Sequence, residues 1–149
     1  MPKIAIIGTT IWGKTLGVVL ASKGLQTRLW ARTEREAAEL RTAGSTPALR
    51  DDVAFPPQLT ITSSLSEALA DVKAVILAVP SQAMRQNIKL VAGSLKKSIL
   101  VVSAAKGLEI GSSKRMSQVI TEEISPQFWA SVCVLSGPNL SGEILHNLP

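Results

Sequence analysis

Lys3-Ile4-Ala5-Ile6-Ile7-Gly8-Thr9-Thr10-Ile11-Trp12-Gly13 opens the chain, and its reading decides the fold. An Ile-rich run stops at Gly8, and Gly13 stands where a helical pattern begins. That order is a strand, a tight turn and a helix N-terminus, where unpaired N–H groups and the positive end of the helix dipole stabilise an anion such as a phosphate. In the G-x-G-x-x-G pattern of dinucleotide sites, the first glycine makes the turn and the third lets helix and strand approach closely. Gly8 and Gly13 fill those two roles, whereas Thr10 occupies the middle position. An incomplete fingerprint needs support from the rest of the chain.

With 149 residues, 46% of them apolar, and no low-complexity tract, the chain is expected to fold as one domain with a substantial core. The single cysteine, Cys133, has no disulfide partner, and its apolar setting Val132-Cys133-Val134-Leu135 predicts a small buried hydrophobe rather than a nucleophile. His146 has no neighbouring Cys, His or paired carboxylates, so no metal site is expected. The apolar start is too short for a signal-peptide core, and the longest apolar run, Ala74 to Val79, is far short of a membrane span. A cytoplasmic protein without membrane insertion is the expectation. The net charge of +5 comes from scattered Lys and Arg, and the chain has no Tyr and two Phe. It lacks the basic stripe with interleaved aromatics that nucleic acid would need, and its charge fits an anionic small ligand or a solvated surface.

From Trp12 to Lys23, Trp12, Leu16, Val19 and Leu20 share one helical face, Gly24 caps the end, and Gly17 keeps that face low against a sheet. Gln26 to Ala31 alternates as a second strand. Thr33 and Glu36 form a capping box for a helix running to about Ala43, with Gly44 as its stop. Residues 44–58 show no periodicity and read as a long irregular connection. Leu59 to Thr62 is a short strand, and Ser64 with Glu67 caps a helix over Leu65 to Leu69. Lys73 to Val79 is a strand buried on both faces, as in the centre of a parallel sheet, and it ends at Pro80-Ser81. A helix from Gln82 to about Lys96 follows, with Met84, Ile88, Val91 and Leu95 on one face. Ser98 to Ser103 is the next buried strand, Met116 to about Ile124 a helix, and Val132 to Leu135 a last strand.

This alternation predicts an α/β fold: a doubly wound, mostly parallel, Rossmann-type sheet with helices on both faces and right-handed crossovers. Ligands of such sheets sit outside the carboxyl ends of the strands, where the strand order reverses. Gly8 to Trp12, Arg32-Thr33, Pro80-Ser81, Ala105-Lys106-Gly107 and Ser136-Gly137-Pro138-Asn139 leave those ends, so they are expected to converge on one crevice.

An NAD site usually places an acid after the second strand, but this chain has Arg32 there. Arg32 can pair with a 2′-phosphate or stack on adenine, or it can be a surface arginine beside Glu34 and Glu36. NADPH is expected to bind at least as tightly as NADH. Glu34 lies too far into the helix cap to serve as the ribose ligand. Lys106 can bring positive charge to the reactive end of a cofactor, or it can be a solvated lysine. Ser136 to Asn139 is a turn that also offers N–H groups and an amide to an anion. Trp12 reads as core or as a lid over a nucleotide.

Trp12-Gly13, Leu29-Trp30-Ala31-Arg32, Ala78-Val79-Pro80-Ser81-Gln82, Ala105-Lys106-Gly107-Leu108-Glu109 and Ser136-Gly137-Pro138-Asn139-Leu140-Ser141-Gly142-Glu143-Ile144 together resemble the bacterial-type NAD(P)-dependent glycerol-3-phosphate dehydrogenase, in order and across the whole chain. The resemblance implies reduction of dihydroxyacetone phosphate to sn-glycerol 3-phosphate with NAD(P)H, which supplies phospholipid synthesis. It implies cofactor contacts from Ile11, Trp12, Arg32 and Ser141, added to Gly8, Thr10 and Gly13 of the fingerprint. Lys106 then touches cofactor and substrate as the catalytic candidate, and Gly137 and Asn139 line the substrate side. The family carries a further lysine, the proton donor or acceptor, in a helical domain that follows, and the longer enzyme is compatible with a homodimer. Residues 1–149 thus resemble the cofactor-binding domain alone. Thr10 stands where the family usually has glycine, and its Cβ bears on how closely a pyrophosphate can approach. Two other readings stay open: the first domain of a dehydrogenase for another hydroxy acid, and a stand-alone NAD(P)-binding module that senses redox state.

Overall fold

The computed structural model describes residues 1–47 and 52–146. In chain order its elements are β1 (Lys3–Ile7), α1 (Ile11–Ser22), β2 (Gln26–Trp30), α2 (Glu34–Ala43), β3 (Ser45–Thr46), β4 (Val53–Ala54), β5 (Leu59–Thr62), α3 (Leu65–Leu69), β6 (Val72–Leu77), α4 (Met84–Ala92), β7 (Leu100–Ser103), α5 (Met116–Glu123), β8 (Val132–Val134) and α6 (Ser141–Leu145). Six strands pair in the order β5-β2-β1-β6-β7-β8, all parallel. The chain starts at β1, moves outward through β2 to β5, then returns to β6 and moves outward the other way. The order therefore reverses between β1 and β6, which is the switch point of a doubly wound sheet.

Register makes that reversal useful. Thr62 pairs with Trp30, Trp30 with Ile7, Ile7 with Leu77, Leu77 with Ser103 and Ser103 with Val134. Each of these is the last residue of its strand, so six chain exits leave from one level edge.

The alternation of side chains divides the core into two layers. Ile6, Leu29 and Ile76 pack with Leu16, Val18 and Ala37 from α1 and α2. Ile7, Val75 and Leu77 pack on the opposite face with Met84, Ile88 and Val91 of α4 and with Val119 and Ile120 of α5. Helices thus cover both faces, as the alternation of elements implies. Gly17 lies against Leu59, whose Cδ1 would be 3.1 Å from an added Cβ, so α1 can sit low over the sheet. Gly44 ends α2 in the left-handed region, and its N–H bonds to Leu40 O. Among the described residues no helix is long and apolar enough to cross a membrane.

Several expectations need correction. A 3-10 turn over Ser81–Ala83 precedes α4, which ends at Ala92 rather than near Lys96 because Gly93 follows, a residue of low helix propensity. The connection over 44–58 is not wholly irregular, since Ser45–Thr46 pairs antiparallel with Val53–Ala54; residues 48–51 lie outside the described part. Strand β7 is not buried on both faces, because Leu100 is 48% exposed. Cys133 is exposed rather than buried. It sits on β8, which among the described residues is an edge strand paired with β7, and an apolar run does not report whether a further strand covers it.

Candidate functional site

Gly8 has φ +115°, and a Cβ there would fall 2.6 Å from Ala78 O. A Cβ on Gly13 would meet Gly8 O at 2.1 Å. Backbone blocks both positions, so only glycine lets this turn bring the start of α1 down onto β1. Thr10 occupies a different kind of position. Its φ of −58° suits any residue, and its side chain is the N-cap of α1. The hydroxyl accepts from Gly13 N–H at 3.2 Å and donates to Ala78 O at 3.0 Å, tying the turn to the exit of β6. Lys14 N–H bonds to Thr10 O. The amides of Ile11 and Trp12, the first two helical residues, have no intrahelical acceptor and remain for an anion.

Two clefts, of about 250 and 280 Å³, open along the level edge and share Thr10, Val79 and Pro80. They form one crevice with a lobe on each side of the switch point. Gly8, Trp30, Arg32 and Glu36 line the first lobe. Trp30 anchors its indole N–H on Ser63 O at 3.0 Å. The Arg32 guanidinium donates to Asn87 Oδ1 at 3.3 Å, and Asn87, itself buried, donates to Ala83 O at 2.8 Å.

Trp12, Ala104, Lys106 and Asn139 line the second lobe. Trp12 lines this lobe with its indole N–H fixed on Ala104 O at 3.0 Å. Lys106 is exposed on the loop that follows β7. The Nδ2 of Asn139 is buried and has no partner among the described residues. Gly137, at φ +143°, holds the turn before it.

The crevice therefore gathers Gly8, Thr10 and Arg32 in one lobe and Thr10, Trp12, Lys106 and Asn139 in the other. Gly13 lies beneath the turn. Ile11 is 53% exposed, and neither it nor Gly137 nor Ser141, the first residue of α6, lines either lobe. Among the described residues no three His, Cys, Asp or Glu are grouped to hold a metal ion, and His146 Nδ1 lies 2.9 Å from Gly142 O.

Two groups were missed in the sequence. Gln82 clasps the loop carrying Lys106: its Nε2 donates to Leu108 O at 2.8 Å and its Oε1 accepts from Ile110 N–H at 2.9 Å. Three residues on, Arg85 holds Glu109 through two bonds, at 2.7 and 2.8 Å, and also grips Glu122 and Glu123 of α5. These bonds hold Glu109 well below the usual carboxylate range, to about 2, through Arg85 first and Ser112 second, and they raise Arg85 in turn. The signal was present, because Gln82 and Glu109 end the segments Val79-Pro80-Ser81-Gln82 and Lys106-Gly107-Leu108-Glu109. The second omission is Glu36. Its carboxylate accepts from Arg32 N–H at 3.0 Å and from the Thr9 hydroxyl, and it lines the first lobe.

Residues 3–149 match the family described as NAD-dependent glycerol-3-phosphate dehydrogenase N-terminus. A glycerol-3-phosphate dehydrogenase [NAD(P)+] of Dehalococcoides mccartyi is 59% identical, over all of this chain and 42% of its own length. One of Corynebacterium diphtheriae is 40% identical over 99% of this chain and 44% of its own. The crystal structure of glycerol-3-phosphate dehydrogenase from Coxiella burnetii superposes with a TM-score of 0.84 at 30% identity, over 99% of this chain and 44% of that one. A ketopantoate reductase from Ralstonia eutropha, at 20% identity and a TM-score of 0.68, shares the fold. The chain spans less than half the length of the relatives it matches. With its motifs in family order and its fold superposing on a family member, the chain belongs to the NAD-dependent glycerol-3-phosphate dehydrogenase N-terminal family.

Proposed function

We propose that this chain is the cofactor-binding part of a cytoplasmic enzyme that interconverts dihydroxyacetone phosphate and sn-glycerol 3-phosphate with NAD(P)H. The observation that carries this reading is the two-lobed crevice, with the α1 N-terminus between its lobes and Lys106 in the second. Its residues fit a dinucleotide. The amides of Ile11 and Trp12 suit the pyrophosphate, and the lobe with Trp30 and Arg32 suits the adenosine half. The unpartnered Asn139 Nδ2 offers a donor in the lobe left for the nicotinamide and the substrate. When bound, the nicotinamide supplies the hydride.

The chain's own residues bind and orient. The Gly8–Gly13 turn lets the pyrophosphate reach the helix end, and the Trp12 indole, held on Ala104 O, lines the second lobe. Lys106 brings a cation to the place where a substrate oxygen or phosphate would lie, and it interacts more strongly as negative charge grows on the carbonyl oxygen. The family resemblance assigns the proton step to a lysine in a following helical domain, so turnover is a property of the longer enzyme.

The test is an assay with dihydroxyacetone phosphate and NADPH in the protein that carries this chain, set beside calorimetric binding of NADPH. Lys106→Ala is expected to lower kcat/KM by ~10²-fold or more, on the scale of losing one preorganised charge donor, while NADPH still binds. Unchanged turnover in Lys106→Ala removes Lys106 from the reaction. Absence of nucleotide binding by the unaltered protein overturns the proposed function.

A further inference from the structure

The acid that the sequence lacks directly after β2 returns to the same cleft from one turn inside α2. Glu36 is the third residue of that helix, and its own N–H bonds to the N-cap Thr33 Oγ1 at 3.2 Å. In a full capping box its carboxylate would reach back to the N–H of Thr33. Here it goes one residue further, to Arg32 N–H, and crosses to the Thr9 hydroxyl on the glycine turn. One oxygen serves each donor, and a carboxylate oxygen can accept a second hydrogen bond. Glu36 therefore faces the first lobe with acceptor capacity left over.

Arg32 divides its interactions. Its backbone rests on Glu36, while its guanidinium extends to Asn87 on α4. Among the described residues the guanidinium forms no ion pair, so Glu36 does not neutralise it. The lobe thus presents a carboxylate and a separate guanidinium. A carboxylate accepts only, so it suits a ribose hydroxyl and repels a phosphate, whereas a guanidinium does the reverse.

We propose that Glu36 is a cofactor-selecting residue: it accepts from the 2′-hydroxyl of a bound NADH ribose and opposes the 2′-phosphate of NADPH, against the opposite preference of Arg32. This rests on the nucleotide reading above. It makes the cleft dual in specificity, with the preference set by two residues of one turn pulling in opposite directions.

Calorimetric titration of the protein with NADH and with NADPH, in Glu36→Gln and in Arg32→Ala, tests it. The glutamine keeps one acceptor for Arg32 N–H or Thr9, and taking the ratio of the two affinities within one variant cancels any loss of folded protein. Glu36→Gln is expected to shift the NADH/NADPH affinity ratio toward NADPH by about tenfold or more, on the scale of one charge-assisted hydrogen bond. Arg32→Ala is expected to shift the same ratio toward NADH. An unchanged ratio in Glu36→Gln, or one shifted toward NADH, overturns the proposal while leaving the nucleotide reading intact. If the unaltered protein binds neither cofactor, both fall.

Discussion

Thr10 shows how a departure from a motif can be built in rather than merely tolerated. In sequence it looks like a steric liability in a phosphate-binding turn. In the structure the Thr10 hydroxyl accepts from Gly13 N–H and donates to Ala78 O, so one side chain caps α1 and ties the turn to β6. Replacing Thr10 therefore removes two bonds from the turn. Thr10→Ala is expected to lower stability by about 1 kcal/mol, the usual cost of losing an N-cap hydroxyl, read from the urea midpoint. Equal stability in the two proteins would show that water replaces both bonds. Arg32 and Glu36 mark the limit of sequence reading at this scale. Arg32 could be picked out because it occupies a known position after a strand. Glu36 reads in sequence as a capping residue near Arg32, and spacing alone does not show that its carboxylate passes the cap and lines the cleft.

The strands and helices were largely legible because each carries its own periodicity and stop signals. Thr33, Ser64 and Gly44 act at the helix ends where the sequence places them. What could not be read was contact between distant elements. The segments ending in Gln82 and Glu109 looked like two independent motifs. They are two sides of one fastening, in which Gln82 of the 3-10 turn and Arg85 of α4 hold residues 108–110 of the loop that carries Lys106. Cys133 was misplaced for a related reason, since whether a strand lies at an edge is a property of the sheet rather than of the strand. The fastening has a direct readout. Because Ile110 N–H donates to Gln82 Oε1, Gln82→Ala is expected to speed hydrogen exchange at the Ile110 amide by about tenfold, the equivalent of one net hydrogen bond. Amides in α1, on the other face of the sheet, should keep their rates. Unchanged exchange at Ile110 would mean that the loop is held by its other bonds alone.

Across the whole molecule, two apolar layers hold the sheet, and one polar cluster couples the successive units on the face of α4 and α5. Arg85 joins Glu109 on the loop to Glu122 and Glu123 on α5, and Lys114 pairs with Glu122. Glu109 is held down to about 2 by Arg85 and then by Ser112, and Glu122 is lowered by Lys114 and then by Arg85. A carboxylate with a depressed folded pKa contributes stability that is complete above its ordinary range and is lost as pH falls through its folded value. The contribution of Glu109 is therefore present at neutral pH, begins to fall below about pH 5 and is lost as pH falls through about 2. Urea unfolding of the unaltered protein and of Glu109→Gln across this range should give two curves that run parallel above about pH 5 and converge as the acid limb is descended. Salt should narrow the gap at neutral pH, because the cluster is partly exposed and its charges are screened. A gap that stays constant from pH 7 down to about pH 2 would assign the effect of Glu109 to shape and packing, and the charge coupling between the loop and α5 would have to be abandoned.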